Sequence, residues 1–432
     1  MKKIISALTL GAMIAGAAFA DVSINLNFRQ RANLYTTTGG EGLTAKKTAL
    51  FTDAYSGNGS DNLAISLSGD IVSFDMQLVT DQAKTNLWRS KSFRGTVFLG
   101  QFELFGGLWA DGKLNGAYRA KSDVDAGNIE GMDFEFKKLG SAFKASPSFF
   151  ADNLVQAVNA QGEVYALGGT YKLGLDNGAV NFNLGYLTNG KSDESAATSS
   201  GSLQGHTISF IADGRLDGLG QAELVFKYGQ SVLAKKDGDA NAPAMVFGLY
   251  AQPSITRNLI LTVGGAGSMV DGAFTDYSVD LRARYQAIPK KLSITSFHSY
   301  SALTDAGVDS TLGNETTKGL ANSGYVTDGK CGGTTLKRDQ ILSNNLMVRY
   351  NVNNTLSVFG IVADMIGMGD NKGVKVDDAI VQLRASAWAQ FYADGNNSVA
   401  VGLVYSSHNF TDANNGKAVN MIAIPVIFRV KM

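Results

Sequence analysis

The amino-acid sequence predicts an all-β fold, a single closed antiparallel transmembrane β-barrel of about 18 strands, with 16–20 open. Apolar and polar residues alternate along most of the chain, and this period of two is typical of β-strands. The predicted connections alternate between short turns and long polar loops, as on the two sides of a membrane barrel. After residue 20, no stretch reaches the roughly 20 apolar residues that a membrane helix needs.

Residues 277–285 show the alternation most clearly. Tyr277, Val279, Leu281, Ala283 and Tyr285 share one face, and Ser278, Asp280, Arg282 and Arg284 share the other. Eight steps of about 3.3 Å, tilted by about 40°, span about 20 Å, which fits the apolar band of a membrane barrel with its aromatic girdles. In the second arm of this hairpin, Phe297 leaves the face of Leu292 and Ile294, which predicts a bulge or a shift of face.

The first twenty residues predict a cleaved signal peptide. Lys2 and Lys3 form a basic start, residues 4–19 are apolar or small, and Ala18-Phe19-Ala20 is an A-x-A cleavage pattern. We expect cleavage after Ala20, export, and a barrel over residues 21–432. The alternative, an uncleaved membrane anchor, is disfavoured because the apolar run is short for a span.

The composition supports one large barrel without a second domain. The chain has 50 Gly and only 5 Pro, 18% of its residues are charged, and no linker interrupts it. The 38 basic and 38 acidic residues balance, so nothing indicates binding to nucleic acid. Cys331 is the only cysteine, and therefore no internal disulfide can form.

The first part of the chain predicts strands at 22–35, 63–68 and 72–78, with the last two joined by a tight turn at Gly69-Asp70. Polar loops are predicted at 37–61 and 84–94. Residues 97–108 read as one long strand or two short ones. Further strands are predicted at 113–119, 131–136 and 142–149, and a short helix, folded into a loop or the lumen, at 149–161.

From residue 163 the rhythm is regular. Strands are predicted at 164–173, 180–187, 207–212, 222–228, 245–251, 259–267, 277–287, 292–300, 342–350, 356–363, 380–392, 399–405 and 419–430. Short connections are predicted at 174–178, 214–220, 252–257, 288–290, 351–354 and 393–397, and mostly longer ones at 188–205, 229–243, 268–276, 301–341, 364–378 and 406–417.

As a whole, residues 21–432 resemble the outer-membrane β-barrel porins of diderm bacteria. The signal sequence and the 21–35 strand resemble those of spirochaetal (treponeme-type) outer-membrane proteins. The last strand alternates as a closing strand should, but ends in Met432 where many such barrels end in Phe or Trp. The resemblance implies passive diffusion of small polar solutes or ions across the outer membrane, with no reaction. Its implied partners are outer-membrane lipid and the solutes themselves.

Charged residues that alternate with apolar ones are the candidate pore-lining set, because Arg or Lys facing lipid near the midplane costs about 2–4 kcal/mol. They are Arg29, Arg31, Asp75, Arg119, Asp133, Glu135, Glu223, Lys227, Asp280, Arg282, Arg284, Arg349, Arg384 and Arg429. Nine are basic and five acidic, which predicts a weak anion preference. The alternative for any one of them is that it only braces the wall.

No motif predicts a catalytic group, a cofactor or a metal site. Residues 185–192 match the P-loop pattern G-x-x-x-x-G-K-[ST], but they read as a strand end that runs into a loop rather than as the start of a helix. His206, His298 and His408 lack metal-ligand spacing, and the acidic residues of 235–239 lack that of an EF-hand.

Two other functions are open at this stage. A surface adhesin or antigen would bind a host or matrix ligand through long loops such as 304–340. An outer-membrane hydrolase would use rim residues, with His298 as the first candidate base and His408 as the second. A homo-oligomer is compatible with each of these readings.

Overall fold

The computed structural model describes residues 21–40, 47–53, 62–80, 88–108, 165–188, 206–231, 242–270, 272–303, 317–318, 335–336, 340–368, 380–393, 397–408 and 419–431. Over these ranges the protein is all-β and antiparallel, with nineteen strands in one sheet and two short strands in a separate pair. Within the same ranges, no helix is long and apolar enough to cross a membrane. The strands are β1 (Asp21–Gly39), β2 (Lys47–Asp53), β3 (Asn62–Ser68), β4 (Val72–Thr80), β5 (Trp88–Leu99), β6 (Phe102–Leu108), β7 (Tyr165–Leu175), β8 (Gly178–Thr188), β9 (His206–Leu216), β10 (Gly220–Ser231), β11 (Ala242–Thr256), β12 (Leu259–Val270), β13 (Ala273–Ile288), β14 (Leu292–Leu303), β15 (Thr317–Lys318), β16 (Thr335–Leu336), β17 (Gln340–Asn351), β18 (Leu356–Met368), β19 (Ile380–Tyr392), β20 (Ser398–His408) and β21 (Val419–Lys431).

Strands that follow one another from β3 to β14, and from β17 to β21, pair as neighbours, and β14 pairs directly with β17. β15 and β16 pair only with each other. β1 pairs with β21 along one edge. Along its other edge, β1 pairs first with β3 and then with β2, so β2 and β3 share one neighbour.

The sequence prediction for the first hundred residues is only partly right. The strands at 22–35, 63–68 and 72–78 are confirmed, and 97–108 spans the end of β5 and the whole of β6. The predicted loops at 37–61 and 84–94 are wrong, because β2 lies inside the first and β5 begins at Trp88. These strands carry few apolar residues, but backbone pairing with β1 and β4 supplies their hydrogen bonds.

The predicted strands at 113–119, 131–136 and 142–149, and the helix at 149–161, lie outside the described residues. From β7 onward, every predicted strand is confirmed, and most of them extend a few residues beyond the predicted ends. The predicted long connection at 268–276 is wrong. β12 runs to Val270 and β13 starts at Ala273, and their pairing continues through a register shift beside Ser268.

The bulge predicted at Phe297 is also wrong. The pairing of β13 with β14 is regular there, with Phe297 opposite Arg282, and the register shift lies near the turn, between Gln286 and Ile288. Phe297 stays on the face of Thr295, and both are buried. This face carries aromatic as well as polar side chains. The alternation of apolar and polar residues is therefore interrupted at Phe297, although the strand is continuous there.

On several of the described strands, one face is exposed and the other is buried. On β13, Val279 and Leu281 are 56% and 41% exposed, whereas Asp280 and Arg282 are almost completely buried. β10 repeats this pattern, with Leu224 and Phe226 exposed while Glu223, Val225 and Lys227 are buried. On these two strands the exposed face is apolar, and the charged residues point to the buried face.

A contiguous apolar cluster covers much of the buried face, mainly from β14 to β21. Its members are Tyr250, Phe297, Met347, Phe359, Ile361, Trp388, Ala400, Val404, Met421, Ala423 and Ile427. Glycines give the largest rings room: Trp388 lies over its cross-strand partner Gly402, where an added Cβ would be 2.6 Å from the ring. Tyr250 lies over its partner Gly264 in the same way.

Candidate functional site: the buried face and its cavities

Seven of the fourteen predicted pore-lining residues have described side chains, and the structure places them on the buried face. They are Asp75, Glu223, Lys227, Asp280, Arg282, Arg284 and Arg349. Arg29, Arg31, Arg384 and Arg429 lie in described strands, but their side chains are outside the description. Arg119, Asp133 and Glu135 lie outside the described residues. That these residues line a pore stays a prediction.

Ion pairs cross between neighbouring strands of this face, for example from β5 to β4 and from β7 to β6. Arg94 on β5 donates to Asp75 on β4, with 2.8 Å between Nη2 and Oδ2. Lys172 on β7 pairs with the buried carboxylate of Glu103 on β6. In each pair the opposite charges offset one another, so these four residues add little net charge to the wall.

A hydrogen-bonded chain continues across β7, β8 and β9. The Thr170 hydroxyl donates to Asn183 at 2.7 Å, and the Asn183 amide donates to Asp213 at 3.0 Å. Asn181 donates to the other oxygen of Asp213 at 3.1 Å. The carboxylate of Asp213 is therefore held in position by two amide donors.

Asp213 belongs to a cavity of about 370 Å³ between β8 and β12, which we call the carboxylate cavity. Its charged lining residues are Asp213, Asp217, Glu223 and Arg215. Acidic side chains therefore outnumber basic ones in its lining by three to one.

A second cavity, of about 540 Å³, lies at the end of the sheet where the short connections β13–β14 and β17–β18 occur. We call it the basic cavity. Its charged lining residues are Arg284, Lys290, Lys291 and Arg349, and no acidic residue lines it among the described residues. The predicted pore-lining set includes Arg284 and Arg349, but not the two lysines.

Arg349 is fixed by several contacts. Its Nε donates to Asn351 at 3.0 Å, and its Nη2 donates to Ser357 at 3.0 Å and to the hydroxyl of Tyr392. The guanidinium carbon lies 5.9 Å from the centre of the Tyr392 ring. The Tyr392 hydroxyl in turn donates to Gln390 at 2.8 Å. This framework holds the guanidinium in one orientation at the cavity wall.

Sequence reasoning missed several charged residues of the buried face. Glu103 stands between Phe102 and Leu104, so the same alternation rule would have found it. Arg94 was missed because its surroundings read as a polar loop. Lys290 and Lys291 lie in a turn, where period-two alternation does not apply. Lys290 is the only non-glycine residue with positive φ, 62°, in the described part of the chain.

Aromatic rings line the exposed face near both ends of the strands. Towards the long connections, Phe247, Phe274, Tyr277 and Tyr300 form a row with ring centres 6.1–6.3 Å apart. Towards the short connections, Phe102, Tyr171 and Phe182 form another row at 4.9 and 6.5 Å. The first row belongs to β11, β13 and β14 and the second to β6, β7 and β8, so each borders the exposed apolar residues of its own strands.

His298 lies on the exposed face of β14, where its Nδ1 is 2.8 Å from the Asn344 oxygen; Asn344 donates to Asp364 at 2.8 Å. The side chains of His206 and His408 are outside the description. Among the described residues, no group of three or more His, Cys, Asp or Glu could hold a metal ion. Residues 185–188 of the P-loop-like pattern end β8, and residues 189–192 are outside the described ranges.

No family model matches the chain, and no curated protein matches it. Solved structures similar to it include OpdQ of Pseudomonas aeruginosa, with 10% identity, a TM-score of 0.49, and coverage of 96% of this chain and 99% of that one. OccK1 (OpdK) of the same organism has 9% identity, a TM-score of 0.49, and coverage of 96% and 100%. A loop deletion mutant of OmpT, an outer membrane protein of Vibrio cholerae, has 9% identity, a TM-score of 0.37, and coverage of 95% and 99%. At TM-scores below 0.5, these similarities do not establish a shared fold.

Proposed function

We propose that this protein is an outer-membrane porin-like channel for the passive diffusion of small polar solutes or ions, with a weak preference for anions. The observation that carries the proposal is the sorting of side chains on the same strands. Exposed apolar residues alternate with buried charged ones on β10 and β13, and aromatic rows border the exposed band. A face exposed to water would not need to be apolar. A barrel with lipid outside and a polar interior needs this arrangement.

The strand pairing supports a closed barrel. β1 pairs with β21 on one edge and with β2 and β3 on the other, so β1 leaves no free edge over most of its length. Because β2 and β3 share one neighbour, a barrel closed through β1 would have eighteen positions for the nineteen strands of the sheet. Closure is also what lipid demands, since an open edge would leave backbone groups without partners.

The anion preference is supported by the basic cavity. Ion pairs offset the charges of Asp75 and Glu103, while Arg284, Lys290, Lys291 and Arg349 line one cavity whose described lining residues include no carboxylate. The carboxylate cavity acts in the opposite direction and keeps the preference weak.

Export and outer-membrane location are part of the same proposal. Residues 1–20, with the cleavage pattern at Ala18-Phe19-Ala20, lie outside the described residues. Edman sequencing of the protein purified from outer membranes should start at Asp21. An intact Met1 in that fraction would contradict the signal peptide, and absence from that fraction would contradict the location.

Planar-bilayer recording of the purified, refolded protein tests the channel. We expect stable conductance steps without added ligand, and a reversal potential in a salt gradient that shows weak anion selectivity. A matched refolding mixture without protein controls for detergent artefacts. A folded, β-rich protein that inserts into the bilayer and gives no steps would contradict the porin function.

The adhesin and hydrolase alternatives gain no support from the described residues. The long loop at 304–340 lies mostly outside them, so a host or matrix ligand, like a homo-oligomer, stays a prediction. The first candidate base, His298, lies on the exposed face and faces Asn344, away from the buried charges.

A further inference from the structure

A row of polar side chains crosses the exposed face of three neighbouring strands. His298 on β14, Asn344 on β17 and Asp364 on β18 lie directly opposite one another in the strand pairing. Nδ1 of His298 is 2.8 Å from Oδ1 of Asn344, and the Asn344 amide donates to Asp364 at 2.8 Å. His298 is exposed, and the other two residues are partly exposed. We call these three residues the polar row.

The polar row has mostly apolar neighbours. Beyond its two ends, the cross-strand partners are Leu281 on β13 and Leu383 on β19, which are 41% and 39% exposed. The next row towards the long connections consists of Tyr300, Leu342 and Ile366, and the next row towards the short connections consists of Ser296, Leu346 and Val362.

The height of the polar row on the sheet follows from Tyr300, which belongs to the aromatic row near the long connections. His298 lies two residues, about 7 Å, closer to the short connections. In the proposed channel the polar row therefore lies in the apolar exterior of the barrel. Polar side chains are costly there and are mostly covered by protein.

The two sides of the polar row differ in side-chain size. On β19, beyond Asp364, the exposed face carries Ala385, Ala387 and Ala389 in alternation. On β13, beyond His298, it carries Val279 and Leu281, which are 56% and 41% exposed. These five residues and the polar row form what we call the β13–β19 strip. It has large apolar side chains at one end and, at the other, small ones that allow a second membrane protein to approach closely.

We propose that the β13–β19 strip is the contact surface between two copies of this chain, related by a two-fold axis along the membrane normal and close to β17. Two copies that are inserted in the same direction and placed face to face meet left side to right side, so the same patch is used twice. His298 then lies towards the partner's Asp364, and Leu281 lies towards the partner's Ala387.

Charge and size therefore match when the strip meets its own copy. His298 is the member of the polar row that can carry a positive charge, and Asp364 is the member that can carry a negative charge. A charge-assisted hydrogen bond between the two copies would form at both ends of the row. Lipid tails offer the row no donor or acceptor, so a second copy satisfies it better than lipid does. That the strip faces lipid rests on the proposed channel function.

Sedimentation equilibrium of the full chain, refolded in density-matched detergent micelles, tests the pairing. We expect a reversible dimer. H298D makes both ends of the row acidic and should raise the dissociation constant at least about tenfold through like-charge repulsion. The double variant H298D/D364H exchanges the two ends and should restore the dimer. An unchanged protein that stays monomeric, or an unaltered dissociation constant in H298D, would overturn the proposal.

A second double variant keeps the test decisive if H298D fails to fold. H298L/D364L gives both ends of the row the residue type of Leu281 and Leu383, so the single copy has no new charge to accommodate. We expect it to fold, with a dissociation constant raised by about tenfold. Dimers as strong as those of the unchanged protein would overturn the proposal.

Disulfide cross-linking locates the contact. L346C in a C331S background places a thiol on β17, next to Asn344 on the exposed face and near the axis, where Leu346 is 47% exposed. Mild oxidation should link two copies. The matched control is L184C in the same background, because Leu184 on β8 is 58% exposed and lies outside the strip. Equal linking at the two positions would overturn the location.

Bilayer conductance measured on the same preparations separates this inference from the channel. Dimers that give no conductance steps contradict the channel and leave the contact between copies intact. Conductance steps from a protein that is monomeric in micelles and forms no L346C cross-link contradict the contact alone.

Discussion

The buried face is made of two different walls. The polar wall, β6–β13, contains every fully buried charged side chain of the described residues: Glu103, Glu223, Lys227, Asp280 and Arg282. The apolar wall, β14–β21, contains ten of the eleven members of the apolar cluster, and its fully buried polar residues are all uncharged, such as Thr295, Ser357 and Gln390.

The exposed faces of the same two walls do not differ in this way. Leu249 on β11 and Leu403 on β20 are 59% and 54% exposed, and both sit among other exposed apolar residues. This contrast indicates that the exposed face and the buried face of the sheet meet different surroundings. The exposed face carries apolar residues in both walls. The buried face, in contrast, is charged in one wall and apolar in the other.

The largest difference between the walls should come from removing buried side chains. F297A in the apolar wall should lower the free energy of unfolding by about 3–5 kcal/mol, because it leaves a cavity in a packed cluster. T262A in the polar wall should cost about 1 kcal/mol, the net value of a hydrogen bond. Urea unfolding in micelles measures both. Equal costs would show that the two walls are packed alike.

A charge introduced on the exposed face should lower the stability by the same amount in both walls. L249R and L403R should each cost about 2–4 kcal/mol in a lipid bilayer, because both place a guanidinium in the apolar band. Unfolding from liposomes measures the cost, with L249F and L403F as apolar controls. If only one of the arginine variants is destabilised, the band is not continuous around the sheet.

Glycines beneath aromatic rings should matter in both walls. G264A under Tyr250 and G402A under Trp388 should each cost about 1–3 kcal/mol, because the new methyl group overlaps the ring. G174A is the matched control, since an added Cβ there meets nothing within 4 Å. The thermal unfolding midpoint reports the effect, and a midpoint of G402A equal to that of G174A would contradict the close packing.

The smallest effect on stability should come from the ion pairs of the polar wall. E103Q should change the free energy of unfolding by less than about 1 kcal/mol, because Lys172 is half exposed and water replaces the pair. The same change leaves Lys172 without its carboxylate and should shift the reversal potential towards anions. K172Q is the opposite control and should shift it towards cations; a shift of the same sign in both variants would exclude a role for this pair in selectivity.

Sequence patterns predicted local features well wherever alternation was clear. On β13, five apolar and four polar residues in strict alternation specified both the strand and its two faces. The pattern failed where the buried face is apolar, as at Phe297, and where a strand carries few apolar residues, as in β2 and the first half of β5. In these places the structure depends on backbone pairing with an adjacent strand. The local sequence pattern does not show which strand that is.

By itself, the sequence determined the period of two, the strands from β7 onward except β15 and β16, and most of the short connections, because side-chain direction and turn chemistry act over a few residues. Only the tertiary structure decided which residues meet. Asp75 forms an ion pair with Arg94, and Arg349 donates a hydrogen bond to Tyr392, 43 residues further along the chain. Such contacts depend on the register between strands, and a slip of one residue would turn every side chain to the opposite face.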